Sequence, residues 1–335
     1  MDPTQNDHPE WLGDFDPSRR EAFQRSLTVG SAGTVLLQTS ISKAVQLVTN
    51  RQLGIQSTLP RKPGTGDGFY SQRRAAAVTG GSWVDDTTEP VDQEGTYTQL
   101  RFGFKTLLGR IKVTRKLVAQ GRSYGDVLAT ELVAKAEDFA QDLETASGTG
   151  DSAVDANSIN GLLTLVGAVS GQTVANTSAN GGDALYLNML DKTIQSVKGS
   201  ANKAALRIYG SQTGHRLLNN ALQAQQRFQN MTEIDGGFTV ESYQGIPMVE
   251  TNGIPDTCVF NAAAPMVTKF TTGATTALVV VNTMYTFYVE LTPTTVLPLA
   301  KKSSQYDEVD MFNDITLVLD NPKGAAVLGG LSTAI

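Results

Sequence analysis

The stretch from Gly64 to Thr145 most constrains what this chain can fold into. Two extended segments flank the polar, lysine-free tip GGSWVDDTTEP (Gly80 to Pro90), and a basic strand and one long amphipathic helix follow. A ribbon of about 30 residues with so little apolar surface holds no shape alone, because an isolated two-stranded hairpin is at best marginally stable in water. It is expected to lie on another surface, and a second copy of the chain is the expected support.

Within this stretch FYSQRRAAAV (Phe69 to Val78) is the outgoing strand and Gly80 and Gly81 open the turn. The return segment is TYTQLRFGFKTLLGRIKVTRKLV (Thr96 to Val118), where Leu100, Phe102 and Phe104, then Ile111 and Val113, alternate with polar neighbours. That period of two predicts one buried face. Ser123 reads as the cap of a helix running to Thr145, with Asp126 as its capping-box acid. Leu128, Leu132, Ala136, Phe139 and Leu143 form the predicted buried stripe, with Glu131 and Lys135 paired four apart on the wet face. At 1.5 Å per residue such a helix spans roughly 35 Å, about the width of a domain.

Before the ribbon, Asp16 and Pro17 open a helix in a polar arm, and a second short helix is predicted over Thr39 to Thr49. After it, SGTGDSAVDANS (Ser147 to Ser158) is the best domain boundary. An α/β pattern follows: a helix carrying Leu185, Met189, Leu190, Ile194 and Val197, the strand AALRIY (Ala204 to Tyr209), a helix from Ser211 through Ala221, and the strand GIPMVE (Gly245 to Glu250). The last eighty or so residues read as β-rich, through CVFNAA, ALVVVN, YTFYVEL and DITLVLD.

Composition excludes several classes. At 335 residues and 40% apolar content the chain is globular and can fill two cores. One cysteine, Cys258, forbids an intramolecular disulfide, and His8 and His215 leave almost no material for a zinc site. The longest purely apolar run is ALVVV, and the N-terminus has neither a basic start nor an apolar stretch, so no membrane span or signal peptide is expected. A net charge of -6 argues against a sequence-reading nucleic-acid binder and suits a protein that meets DNA without gripping it.

A search for chemistry finds no nucleophile elbow, P-loop or complete dinucleotide fingerprint; GTGDG at Gly64 lacks the third glycine. Asp307, Glu308, Asp310 and Asp314 fit no calcium loop and read as a solvated strand face, and His215 reads as a surface or capping histidine. No catalytic, cofactor-binding or metal residue is assigned. Trp83, set among Asp85, Asp86 and Glu89, is expected to touch another subunit, since an exposed indole is unusual with nothing to cover. The basic residues Arg110, Lys112, Arg115 and Lys116 are the expected counterparts of those three acids, with Arg122 in the same cluster; phosphate contact and a plain exposed strand face are the other readings of the cluster, and Arg73 and Arg74 complete the set of inter-subunit contact residues.

This order of parts resembles the major capsid protein of tailed bacteriophages, the Hong Kong 97 type (HK97-like) fold. The pieces that carry the resemblance are GGSWVDDTTEP, LGRIKVTRKLVAQ (Leu108 to Gln120), LRIYGSQTGHRLL (Leu206 to Leu218) and YQGIPMVETNGIPD (Tyr243 to Asp256). The resemblance implies an α+β chain with an N-terminal arm and first helices over 1–50, a connector over 51–63, an extended β-hairpin loop over 64–100 and a peripheral domain over 101–156 with its spine helix at 123–145. It further implies an α/β axial domain over 157–299 and a return to the peripheral domain over 300–335. It implies self-assembly as hexamers and pentamers into an icosahedral shell around double-stranded DNA, held without sequence specificity. A portal protein, and separate scaffolding or decoration proteins, would be partners in a virion assembled in the host cytoplasm, with no cofactor and no membrane. About forty residues precede the first core helix, which leaves no room for the cleaved scaffolding segment many relatives carry. Crosslinking relatives use an extended-loop lysine, yet no lysine lies between Lys62 and Lys105. Two other readings are open at this point: an encapsulin-type nanocompartment shell, and an enzyme with a small-molecule cleft in Ala184 to Glu250.

Overall fold

The computed structural model describes residues 53–74, 83–89, 94–121, 127–176, 183–224, 230–234, 238–258, 275–300 and 304–333. The helices expected after Asp16 and over Thr39 to Thr49, the turn at Gly80 and Gly81, Arg122, the cap at Ser123 and Asp126, and CVFNAA beyond Cys258 lie outside these residues.

The chain is mixed α+β. In order it forms α1 (Gly54–Thr58), β1 (Arg61–Pro63), β2 (Gly68–Arg74), β3 (Tyr97–Gly103), β4 (Lys105–Thr114), α2 (Arg115–Gly121), α3 (Val127–Thr149), α4 (Leu162–Gly167) and β5 (Thr173–Ala175). Then come α5 (Leu187–Ser196), β6 (Leu206–Gly210), α6 (Gln212–Ala224), β7 (Asn230–Ile234), β8 (Phe238–Tyr243), β9 (Ile246–Glu250), β10 (Thr275–Asn282), β11 (Thr286–Pro298), β12 (Tyr306–Leu319) and β13 (Ala325–Ser332).

Three sheets result: a four-stranded one ordered β1-β11-β12-β4, a seven-stranded one ordered β5-β13-β10-β6-β9-β8-β7, and the β2-β3 hairpin. The run ALVVV is buried because β10 lies inside the seven-stranded sheet with both faces covered. Period two sorts its side chains. Val279 and Val281 join Ile55, Leu143, Leu162 and Tyr288 on one side, while Leu278 and Val280 join Leu190, Leu206 and Leu218 under α5 and α6 on the other.

The expected boundary at residue 299 does not coincide with the sheets. β11 pairs with β12 and β12 with β4, whereas β13 pairs with β10. The C-terminal strands are therefore shared, and the chain crosses between the sheets through 283–285 and again through 320–324. The long return segment also divides. Thr98 to Phe102 pair with β2, and from Lys105 onward the strand pairs with β12. Its last residues, from Arg115, are helical as α2.

α3 contains Ala, Leu, Glu and Lys, all strong helix formers, and no proline. It runs to Thr149, four residues past the expected end at Thr145, and in its last turns Ser147 and Thr149 donate their hydroxyls to the carbonyls of Leu143 (2.6 Å) and Thr145 (3.0 Å). Phe139 and Leu143 are buried as expected, but Leu132 is half-buried and Ala136 exposed. Among the residues of the stripe whose burial is described, Phe139 and Leu143 at its C-terminal end reach the core, and Glu131 and Lys135 form no ion pair among the described residues.

Candidate assembly surface

The hairpin stem is anchored to its own chain. Phe69 meets Phe287 edge to face at 5.6 Å, and Phe102 and Phe287 share a buried cluster with Val289 and Val318. Ser71 Oγ donates to Asp320 Oδ1 at 2.6 Å, and Arg73 gives Nε to the Asp320 carbonyl at 2.8 Å and Nη2 to the Leu319 carbonyl. Burial lowers the Arg73 pKa, partly offset by Asp320. Arg73, expected to contact another subunit, is used at home to hold the stem, while Arg74 is exposed.

The tip is the opposite case. Trp83 is 106% exposed and Val84 47%. A turn closes Asp85 to Thr88 (N–H to carbonyl, 3.0 Å), and Asp86 N–H donates to Asp85 Oδ1 at 2.9 Å. No ion pair holds Asp85, Asp86 or Glu89 among the described residues.

Two of the expected basic counterparts are also occupied. Across the β4–β12 ladder Arg110 lies opposite Asp310 and Lys112 opposite Glu308. Arg110 binds Asp310 with Nε at 2.6 Å and Nη2 at 2.8 Å, and that bond holds its pKa above the ordinary range. Lys112 reaches Glu308 at 3.2 Å and lies 4.1 Å from the Tyr306 ring. Three of the four acids read as a solvated face, Glu308, Asp310 and Asp314, are thus one side of a cross-strand polar ladder, completed by Thr106 on Asp314 at 2.5 Å, while Asp307 lies opposite Val113. Sequence inspection missed this because the partners lie about two hundred residues apart. Arg115 and Lys116 sit exposed at the start of α2, with no ion pair among the described residues.

A buried joint lies behind these surfaces. Leu53 at the N-cap of α1 has no side-chain acceptor, and Glu144 of α3 supplies one from 89 residues away: Ile55 N–H donates to Oε1 at 2.8 Å and Gln56 N–H to Oε2 at 3.1 Å. Thr251 Oγ1 donates to the same carboxylate at 2.5 Å. Burial raises the Glu144 pKa and these bonds pull it back. A methyl group on Gly148 would overlap the Gly253 backbone, so glycine is what lets α3 touch the loop after β9. The signal in the sequence is that Ala140, Ser147 and Gly148, all small, surround Glu144 on the helix.

His215 is buried, not on the surface; its Nδ1 lies 4.0 Å from Glu250, and burial lowers its pKa against the opposing pull of that carboxylate. Ser211 and Thr213 donate their hydroxyls to Asp256 at the start of α6, not to His215. Burial pushes the Cys258 thiol up to about 12. The cleft between α5 and α6, about 480 Å³ and lined by Leu185, Tyr186, Leu217 and Ala221, offers no acid–base pair. Among the described residues no group of three or more His, Cys, Asp or Glu is placed to hold a metal, and no helix is long and apolar enough to cross a membrane.

Solved structures define the fold class. The chain is similar to the holo-SrpI encapsulin of Synechococcus elongatus, with TM-score 0.65, 11% identity, 92% of this chain and 98% of that one covered. It is similar to the capsid of a native GTA particle, with TM-score 0.62, 13% identity and coverage of 91% and 98%. A Gordonia phage Cozz structure matches with TM-score 0.58, 16% identity and coverage of 90% and 96%. These likenesses establish an HK97-like shell fold. The profile of the SU10 major capsid protein family matches residues 4–332, and the chain belongs to that family. It is a bacteriophage capsid shell protein that self-associates, with a structural role. No curated protein matches the sequence.

Proposed function

We propose that the chain assembles as hexamers and pentamers into an icosahedral shell that encloses double-stranded DNA without reading its sequence. The observation that carries this reading is the ribbon: its stem is fixed on the home subunit through Ser71, Arg73 and Phe69, while at the tip Trp83 is fully exposed and Asp85, Asp86 and Glu89 have no ion pair among the described residues. Such a tip gains by ordering only if a neighbour covers it. Of the four expected counterparts, Arg115 and Lys116 are the ones without an ion pair among the described residues, and they are taken to receive Asp85, Asp86 and Glu89, since Arg110 and Lys112 already have carboxylates. In this reading β4, α2, α3, β11 and β12 make the peripheral domain, and the seven-stranded sheet with α5 and α6 the axial domain. A portal protein would occupy one vertex, with separate scaffolding or decoration proteins where the shell needs them, and assembly would take place in the host cytoplasm.

Electron microscopy of the expressed chain tests the shell, and analysis of particle contents tests the cargo. Closed particles that fill with DNA in an infected cell support the proposal. A chain that stays monomeric at high concentration overturns it, and particles holding one enzyme and no DNA favour the nanocompartment reading, which shares this fold.

A further inference from the structure

Three loops that meet, 197–205 ahead of β6 and the two crossings between sheets at 282–285 and 320–324, carry exposed lysines. Lys198 N–H donates to the Lys323 carbonyl at 2.7 Å, Asn282 Nδ2 to the Lys198 carbonyl at 3.0 Å, and Thr283 N–H to the Ala205 carbonyl at 2.9 Å, so segments 197–205, 282–285 and 320–324 are knit together. On these loops Lys198, Lys203 and Lys323 are exposed, Met284 is 62% exposed and the Tyr285 ring lies 5.5 Å from the Lys198 ammonium. Arg207 reaches the same rim, bonded to the Ala204 carbonyl at 2.6 Å. Lys203 Nζ donates to the Gln244 carbonyl at 3.0 Å, a neutral partner that leaves its charge uncompensated, while Asp320 accepts from Ser71 and Asp191 from Tyr243 and Gln244. None of the three lysines has an ion pair among the described residues, although the chain as a whole carries a net charge of -6.

We infer that this three-loop face, through Lys198, Lys203 and Lys323, contacts the phosphate backbone of double-stranded nucleic acid. The inference rests on the shell reading above and adds the surface by which that shell meets its contents. The residue types decide between a polyphosphate and a neighbouring subunit. Lysines are point charges on flexible stems, suited to phosphates that need no fixed geometry, and they are depleted from protein–protein interfaces. The turns between them are built of Gly199, Ser200, Ala201 and Asn202, small enough for a rod to approach. A face with three cations and no base-reading geometry gives sequence-independent, salt-sensitive contact.

The test is the K198Q/K203Q/K323Q variant of the full chain. Binding of dissociated subunits to a random-sequence duplex should weaken, and the slope of log affinity against log salt should fall by about 2.7, about 0.9 for each lysine removed. In assembled particles the three lysines should resist acetylation when DNA fills the shell and react once it is emptied. An unchanged salt slope, or equal labelling of filled and emptied particles, overturns the inference. A variant that no longer assembles yet binds DNA with the original slope also overturns it, assigning the face to subunit contact. Failure of the unmodified chain to form shells would defeat the shell reading instead, and the slope measurement on subunits would still decide this one.

Discussion

The joint around Glu144 and the ribbon tip around Asp85 each present carboxylates, in opposite situations. Glu144 is fully buried and accepts from two backbone N–H groups and one hydroxyl contributed by two distant segments, so its charge is compensated inside the subunit. Asp85 and Asp86 are exposed beside a bare indole and, among the described residues, bond within their own turn. A buried carboxylate without partners would cost several kcal/mol, whereas an exposed one is solvated at little cost. The first arrangement can therefore fix the shape of one subunit, and the second stays available for a partner.

The comparison breaks if the joint proves soft. Phe139, 5% exposed on the buried half of α3, is the largest expected effect: Phe139→Ala should cost about 3 to 5 kcal/mol and leave the chain insoluble or with a sharply lowered melting temperature. A soluble, assembling variant would show that α3 does not organise the core. Next comes Glu144→Ala, which orphans the Ile55 and Gln56 N–H groups at about 1 to 3 kcal/mol each. Denaturant unfolding should show the loss, and hydrogen exchange should locate it at α1. Unchanged exchange there would mean that packing of Ile55 alone holds the segment.

The pH dependence sharpens the same contrast. His215 is buried, so its folded pKa lies below the ordinary 6.5. The unfolded chain then binds the proton more readily, and the stability present above 6.5 is lost as pH falls toward the folded value, at a slope of at most about 1.4 kcal/mol per pH unit. Glu144 works in the opposite sense: its raised folded pKa gives a share of stability that is present below 4.5 and lost as pH rises through the folded value. Melting curves between pH 4 and 8 should flatten on the acid side in His215→Gln and steepen there in Glu144→Gln. The same curve for both variants and the parent would show that neither buried group titrates on unfolding.

Much of this fold was legible because it rests on local periodicity. Alternation at Ile111 and Val113 and the Phe139–Leu143 spacing point to buried faces that exist. What was not legible depends on contacts far apart in sequence. Arg73 looks free in FYSQRRAAAV, and only the return of β12 places the Asp320 carbonyl beside it. Arg110 and Lys112 look like an exposed basic strand until Asp310 and Glu308 arrive in register. His215 gave no sign of burial, because Gly214 and Leu217, which flank it on α6, suit a half-exposed helix equally well. Trp83, by contrast, stands fully exposed, which leaves it open to the subunit contact expected of it.

The smallest effect per residue belongs to the tip. Replacing Asp85 and Asp86 together with lysine should leave the isolated subunit unchanged, because neither carboxylate has an ion pair within it among the described residues. Exposed ion pairs contribute about 0 to 1 kcal/mol each, so a single subunit would scarcely register the change. In a shell the contact repeats in every copy, and weak terms add across linked sites. Assembly yield should therefore fall while the melting curve of the free subunit stays where it was, and the loss should shrink as salt screens both versions. Reversing Arg115 and Lys116 to glutamate in the same chain should restore part of the yield, since the two exposed charge sets would again be opposite. If yield is indifferent to the Asp85 and Asp86 reversal, or falls without any rescue by Arg115 and Lys116, the tip meets a different surface. The division between a self-satisfied joint and a partner-seeking tip would then have to be redrawn around Trp83 alone.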